Sequence, residues 1–160
     1  MKKWIVASLL AVGATQAAAL CISPVCTCSV SATSIAFGSY NPLGGALQDA
    51  NGSVTFSCSG AAGLLIPYSI AINAGSGTMT GRLMKNGTRN LAYNIYSNSN
   101  YSTIWGDGTS GAPTISGTIV LNVLGTLSLT STMYGRIAAG QNTLVPGTYQ
   151  DTLTVTVTYD

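Results

Sequence analysis

The sequence predicts an all-β sandwich, and three observations carry that prediction. The last stretch, PGTYQDTLTVTVTYD, alternates Leu153, Val155, Val157 and Tyr159 with Thr154, Thr156 and Thr158. That is the two-residue period of a strand with one apolar and one hydroxylated face. Upstream, short β-branched or aromatic runs recur between Gly, Asn and Pro signals, which brings the total to about seven strands. No window beyond the N-terminal apolar run has a helical period, and no tandem repeat is present.

The first residues read as a secretory leader. Lys2 and Lys3 precede an apolar run from Trp4 to Ala14, and Ala17, Ala18 and Ala19 offer the small-residue pattern of a cleavage site after Ala19. The expected division is a signal peptide at residues 1–19 and one domain at residues 20–160. The run is too short to span a membrane, so no membrane insertion of the mature chain is expected. Lys2 and Lys3 leave with the leader. Arg82, Lys85, Arg89 and Arg136 then balance Asp49, Asp107, Asp151 and Asp160, and the formal charge is nil. A neutral chain offers no basic field to a nucleic acid or an anionic lipid, so neither is an expected partner. Near-zero charge in a strand-rich chain favours association.

Cys21, Cys26, Cys28 and Cys58 in an exported chain point to disulfides, with three connectivities open. Pairing Cys28 with Cys58 would close a loop worth about 3 to 4 kcal/mol in the chain-entropy account and leave Cys21 with Cys26 as a local staple. A bridge between Cys26 and Cys28 is the one that steric geometry disfavours most. A zinc site would need all four thiolates, since the chain has 0 His. No metal or cofactor is expected.

In order, residues 29–38 carry Val30, Ile35 and Phe37 and form a first strand ended by Gly38. A Gly-, Asn- and Pro-rich loop follows to Gly52. Val54, Phe56 and Cys58 then share one face of the second strand. Pro67 introduces a third, with Tyr68, Ile70 and Ile72 in alternation. Arg82, Lys85 and Arg89 sit in a Gly-punctuated segment that reads as a solvated loop. Leu91, Tyr93 and Ile95 mark the next strand, residues 115–124 and 127–136 two more, and the terminal strand begins near Tyr149 after the Pro146–Gly147 turn.

Catalysis has little to work with. The chain has 0 His, and its 4 acidic residues are all Asp, so neither an imidazole base nor a paired glutamate is available. The chain is not expected to be an enzyme. Asp107, in a Gly-rich loop, suits an Asx turn, with a calcium ligand as the alternative. Asp151 suits a turn cap or an arginine partner. Tyr149 resembles the corner tyrosine of sandwich folds, whose hydroxyl returns to nearby backbone. Trp105 is the candidate ligand residue: its ring would stack on a sugar, against the alternative that it covers one end of the core.

Taken together, Cys28-Ser-Val-Ser-Ala, Ile35-Ala-Phe-Gly-Ser-Tyr-Asn-Pro42, the Cys58 strand, Arg82-Leu-Met84, Leu91-Ala-Tyr-Asn-Ile-Tyr96, Trp105-Gly-Asp-Gly108, Tyr134-Gly-Arg-Ile137 and the terminal run from Gly147 resemble the spore coat protein U domain family. The family includes subunits of archaic chaperone-usher pili. The resemblance implies an incomplete immunoglobulin-like sandwich that lacks its final G strand. It implies a groove walled by Ile35 and Phe37 on one side and by Leu153, Val155, Val157 and Tyr159 on the other, with the Asp160 carboxylate held by basic residues of a chaperone. The implied partners are a periplasmic chaperone, an outer-membrane usher and other pilus subunits, and the implied destination is the cell surface by way of the periplasm. A spore or cell coat protein of the same fold and a carbohydrate-binding adhesin module are the alternatives.

One departure stands out. Family pilins carry an alternating apolar extension before the first conserved cysteine. Here residues 20–27 include Pro24, which removes a ladder hydrogen bond, and a Cys21–Cys26 loop would prevent extension. Such a subunit would accept a strand but hardly give one, which suits the tip of a fibre or a non-polymeric coat.

Overall fold

The structure is a computed structural model that describes the strand at residues 3–8, in its backbone, and residues 26–159. The described residues form β1 (Lys3–Ser8), β2 (Cys26–Thr33), β3 (Gln48–Gly60), β4 (Leu65–Ile72), β5 (Arg82–Asn86), β6 (Arg89–Tyr96), β7 (Ile115–Val120), β8 (Thr126–Ile137) and β9 (Thr154–Tyr159). One sheet has the order β1-β9-β4-β7 and the other β2-β3-β8-β6-β5. Neighbours in both are antiparallel. Among the described residues no helix is long and apolar enough to cross a membrane.

The two-residue period decides which side chains meet between the sheets. Val54, Phe56 and Cys58 of β3, Ile70 and Ile72 of β4, Leu91, Tyr93 and Ile95 of β6, and Val155, Val157 and Tyr159 of β9 are all buried in one core. Phe56 lies at its centre, its ring 5.8 Å from that of Tyr68 and 5.6 Å from that of Tyr159. The outer face of the second sheet is hydroxylated. Thr55 faces Thr130 at 3.0 Å and Ser57 faces Ser128 at 2.8 Å, so cross-strand hydrogen bonds supply the solvated surface that the missing charges do not. Cys28 and Cys58 stand opposite each other in register and are disulfide-bonded. Cys26 is disulfide-bonded as well, whereas Cys21 lies outside the described residues.

Several boundaries differ from the sequence reading: β3 begins at Gln48, inside the expected loop, and β7 ends at Val120, and three further differences have a clear physical reason. The first strand ends at Thr33 rather than near Gly38. Ile35 and Phe37 leave the ladder and lie over glycine positions: a Cβ on Gly135 would stand 2.8 Å from the Phe37 ring and 2.9 Å from Ile35. The terminal strand begins at Thr154 rather than near Tyr149, because the chain changes sheets on the way. Gln150 and Lys85 exchange backbone hydrogen bonds of 2.7 and 3.1 Å on the β5 side, and only after Asp151 does the chain join β4. Finally, Arg82 and Lys85 belong to β5 and not to a solvated loop.

Arg82 is the sharpest correction, because its side chain is 0% exposed. Its guanidinium donates to Asn73 O (2.9 and 3.0 Å), to Ile72 O (3.3 Å), to Trp105 O (2.8 Å) and to Asn94 Oδ1 (2.6 Å). Burial holds its pKa below the usual guanidinium value, yet an arginine keeps its proton at any accessible pH. The charge is thus solvated by carbonyl dipoles from three chain segments. The sugar-stacking reading of Trp105 is also corrected. Trp105 is 0% exposed and its indole N–H donates to Ile70 O at 2.9 Å, so the ring fills the core and offers no face to a ligand. Asp107 forms the expected Asx turn, with its carboxylate accepting from the backbone N–H and the hydroxyl of Thr109 at 2.9 and 2.6 Å.

Replacing Arg82 by Met should strand these carbonyls and lower stability by about 3 kcal/mol or more, a fall of roughly 10 °C in the melting temperature. Replacement by Lys should rescue little of it, since one ammonium cannot reproduce the fork. Thermal denaturation followed by far-ultraviolet circular dichroism measures both.

Candidate interaction groove

β9 contributes a row of inward side chains to the core and a backbone edge to whatever lies beside it. Val155, Val157 and Tyr159 are buried, while Thr154, Thr156 and Thr158 between them are half-exposed. On one side β9 is hydrogen-bonded to β4, with Val157 opposite Ile70 and Val155 opposite Ile72. On the other side lies β1, in register from Lys3 opposite Tyr159 to Ser8 opposite Thr154. β1 also lies against β2, so it occupies the seam between the two sheets. The strand that completes the seam therefore comes from residues assigned by sequence to a removable leader.

Two cavities open beside Ile35, Phe37 and Tyr149. A cavity of about 250 Å³ is lined by Ile35, Phe37, Leu153 and Val155, together with Met84 and Tyr149. A larger one of about 750 Å³ is lined by Phe37, Tyr40, Leu91, Ile137, Leu144 and Tyr149 among others. Ile35 and Phe37 thus face Leu153 and Val155 across the first cavity. Val157 and Tyr159 line the length covered by β1, and Asp160 lies outside the described residues.

Hydrogen bonds fix this end of the groove. Tyr40 donates through its hydroxyl to Ala138 O at 3.0 Å, and the Gln48 side chain donates to Phe37 O. Tyr149 donates to Val145 O at 3.0 Å, the short return to upstream backbone expected of a corner tyrosine. Asp151 anchors the change of sheet. One of its oxygens accepts from the backbone N–H groups of Ser76 and Thr152, each at 3.0 Å, and the other from the Tyr93 hydroxyl at 2.7 Å. Of the two sequence alternatives the turn cap holds, through these backbone N–H groups, and the side-chain partner is a tyrosine rather than an arginine. Tyr93 in turn meets the Phe37 ring edge-on at 6.0 Å. Burial first, and then the Asp151 carboxylate, push the Tyr93 hydroxyl pKa well above its ordinary value. Sequence reasoning missed Tyr93, Gly135 and Asp151 as supports of the groove, because a strand pattern assigns faces without saying what crosses between sheets.

Comparison with known proteins bears on what such a groove is for. The chain matches the Spore Coat Protein U domain over residues 14–156. The chain belongs to that family. Its fold is similar to a chain in the crystal structure of the CsuC–CsuE chaperone–tip adhesion subunit pre-assembly complex from the archaic chaperone-usher Csu pili of Acinetobacter baumannii, with a TM-score of 0.54 and 25% identity. The alignment covers 83% of the present chain and 39% of that one, so this chain spans well under half the length of its structural neighbour. No curated protein sequence matches significantly. Spore coat protein U domains are structural rather than catalytic, and the all-β sandwich expected from sequence is the architecture found here, with residues 26–159 by themselves supplying no strand on the β1 side of β9.

The wall formed by Ile35 and Phe37 depends on the absent side chain at position 135. Gly135→Ala should overpack the site at a cost of about 1 to 3 kcal/mol. Combined with Phe37→Ala it should be non-additive by at least about 0.5 kcal/mol, because the second change vacates the space the first one needs. Urea denaturation of the four proteins measures the coupling.

The pH dependence follows from Tyr93. Its folded pKa is raised, so an unfolded chain gives up the proton first, near the ordinary value of 10.0. The contribution of Tyr93 to stability is therefore full below that pH and is lost as pH rises above it. Tyr93→Phe should flatten this alkaline slope, read as melting temperature between neutral pH and pH values above 10.0.

Proposed function

We propose that the mature chain, residues 20–160, is a structural subunit of a chaperone-usher surface pilus, completed by a β-strand taken from another polypeptide. One observation carries the reading. The outer edge of β9, behind which Val155, Val157 and Tyr159 are buried, is paired with residues 3–8 and with no part of residues 26–159. Cleavage after Ala19 removes that strand. The edge then presents unpaired N–H and C=O groups above apolar core, a surface that association with another strand satisfies. Family membership and the likeness to a chain of a chaperone–subunit complex support this reading.

In this account a periplasmic chaperone lends the first strand and the N-terminal extension of another subunit replaces it after passage through an outer-membrane usher. The carboxylate of Asp160 is the natural contact for chaperone basic groups. The chain is exported through the periplasm and ends at the cell surface. It acts as an acceptor more than a donor. Cys26 and Thr27 are committed to β2, opposite Gly60 and Ser59, so the segment ahead of β2 that could be given is limited to residues 20–25, with Pro24 among them. An acceptor of this kind belongs at the tip.

The test uses residues 20–160 and a synthetic nine-residue peptide of alternating valine and threonine. Binding should raise the melting temperature and protect the β9 amides from hydrogen exchange, and Val157→Asp should abolish both effects. A peptide copying residues 20–27 should not bind. Full protection of the β9 amides in the unliganded mature chain would refute the open edge.

A further inference from the structure

The strand beside β9 has a direction, and the direction decides which segment of this chain can fill the groove. β1 is antiparallel to β9, so it enters beside Tyr159 and leaves beside Thr154. β2 runs the same way. Its Val30 stands opposite Phe56, whose ring touches Tyr159, and the residues that follow its end, Ile35 and Phe37, reach the cavity shared with Leu153 and Val155. The groove filler and β2 are therefore parallel neighbours at the seam. Parallel neighbours cannot be joined by a tight turn; they need a crossover of about a dozen residues or more. Residues 9–25 exceed that length, and residues 20–25 fall short of it.

We infer that the uncleaved leader is this chain's own temporary groove filler, and that removal of the leader is the event that creates the open acceptor. The inference rests on the groove reading given under Proposed function. Residues 3–8 match β9 over its whole length, residue for residue from Tyr159 to Thr154. They are backed by β2 on the other side. Once the chain is cut after Ala19, what remains ahead of β2 is too short to return along the seam and pair in the same sense. The mature subunit cannot close on itself, so opening is irreversible. The leader thus carries a second role beside export: it shields an association-prone edge in any molecule that folds before processing.

The experiment compares two refolded, oxidised proteins: the full chain with Ala17→Arg and Ala19→Arg to block processing, and residues 20–160. The probe is the valine–threonine peptide. The full chain should bind it at least about a hundred-fold more weakly, since a tethered strand competes at an effective concentration of the order of millimolar. Val6→Pro, at the position opposite Thr156, should restore uptake by breaking the β1 ladder. Equal uptake by the two proteins, or refusal that Val6→Pro does not relieve, overturns the inference while leaving the groove intact. No uptake by residues 20–160 sinks the groove reading itself. If the uncleaved chain fails to refold, a peptide copying residues 2–9 takes its place. Competition with the valine–threonine peptide for residues 20–160 supports the inference, and lack of competition overturns it.

Discussion

A strand whose side chains form the core needs hydrogen-bond partners along both margins, and β9 obtains them from different sources. β4 supplies one margin from within the domain. The other is supplied by a segment separated from the domain by a cleavage pattern. Every apolar residue behind that margin depends on the outcome, because Val155, Val157 and Tyr159 form the side of the core nearest the seam. The two sheets can be stapled, packed and hydrogen-bonded elsewhere, yet this seam stays conditional.

The chain reaches that position by a change of sheet just before β9, and much of the local chemistry serves the change. Gln150 is held by Lys85 on the second sheet, Asp151 by Ser76, Thr152 and Tyr93 in the gap, and Thr154 by the first sheet. Buried Arg82 works on the same principle one layer deeper, drawing carbonyls of Ile72, Asn73 and Trp105 onto a single guanidinium. In a chain with 6% charged residues, Arg82 and Asp151 are spent on joining segments, while Asp49, Lys85, Arg89 and Asp107 stay exposed.

The fold class and the terminal strand were legible because a two-residue period survives in Leu153 to Tyr159 whatever the tertiary context. Ile35 and Phe37 show how pattern fails without context: their alternation reads as strand, and the structure makes them coil lying over Gly135. β5 was illegible. Arg82 and Lys85 look like surface charges until a ring of carbonyls is brought around Arg82 by segments far apart in sequence. Trp105 misled in the opposite way, since a lone aromatic among glycines looks available when its indole N–H is in fact committed to Ile70. Periodicity reports which way a side chain faces, and distant chain segments decide what it meets there.

The bridge between Cys28 and Cys58 ties β2 to β3 beside the seam that β1 fills. Because β3 is itself paired with β8 from Gln48 to Ser59, a pull on β2 is carried into the interior of the second sheet. Tension along such a strand acts in shear on all its ladder bonds together instead of peeling them one at a time. The covalent tie keeps β2 and β3 from separating while that load is borne.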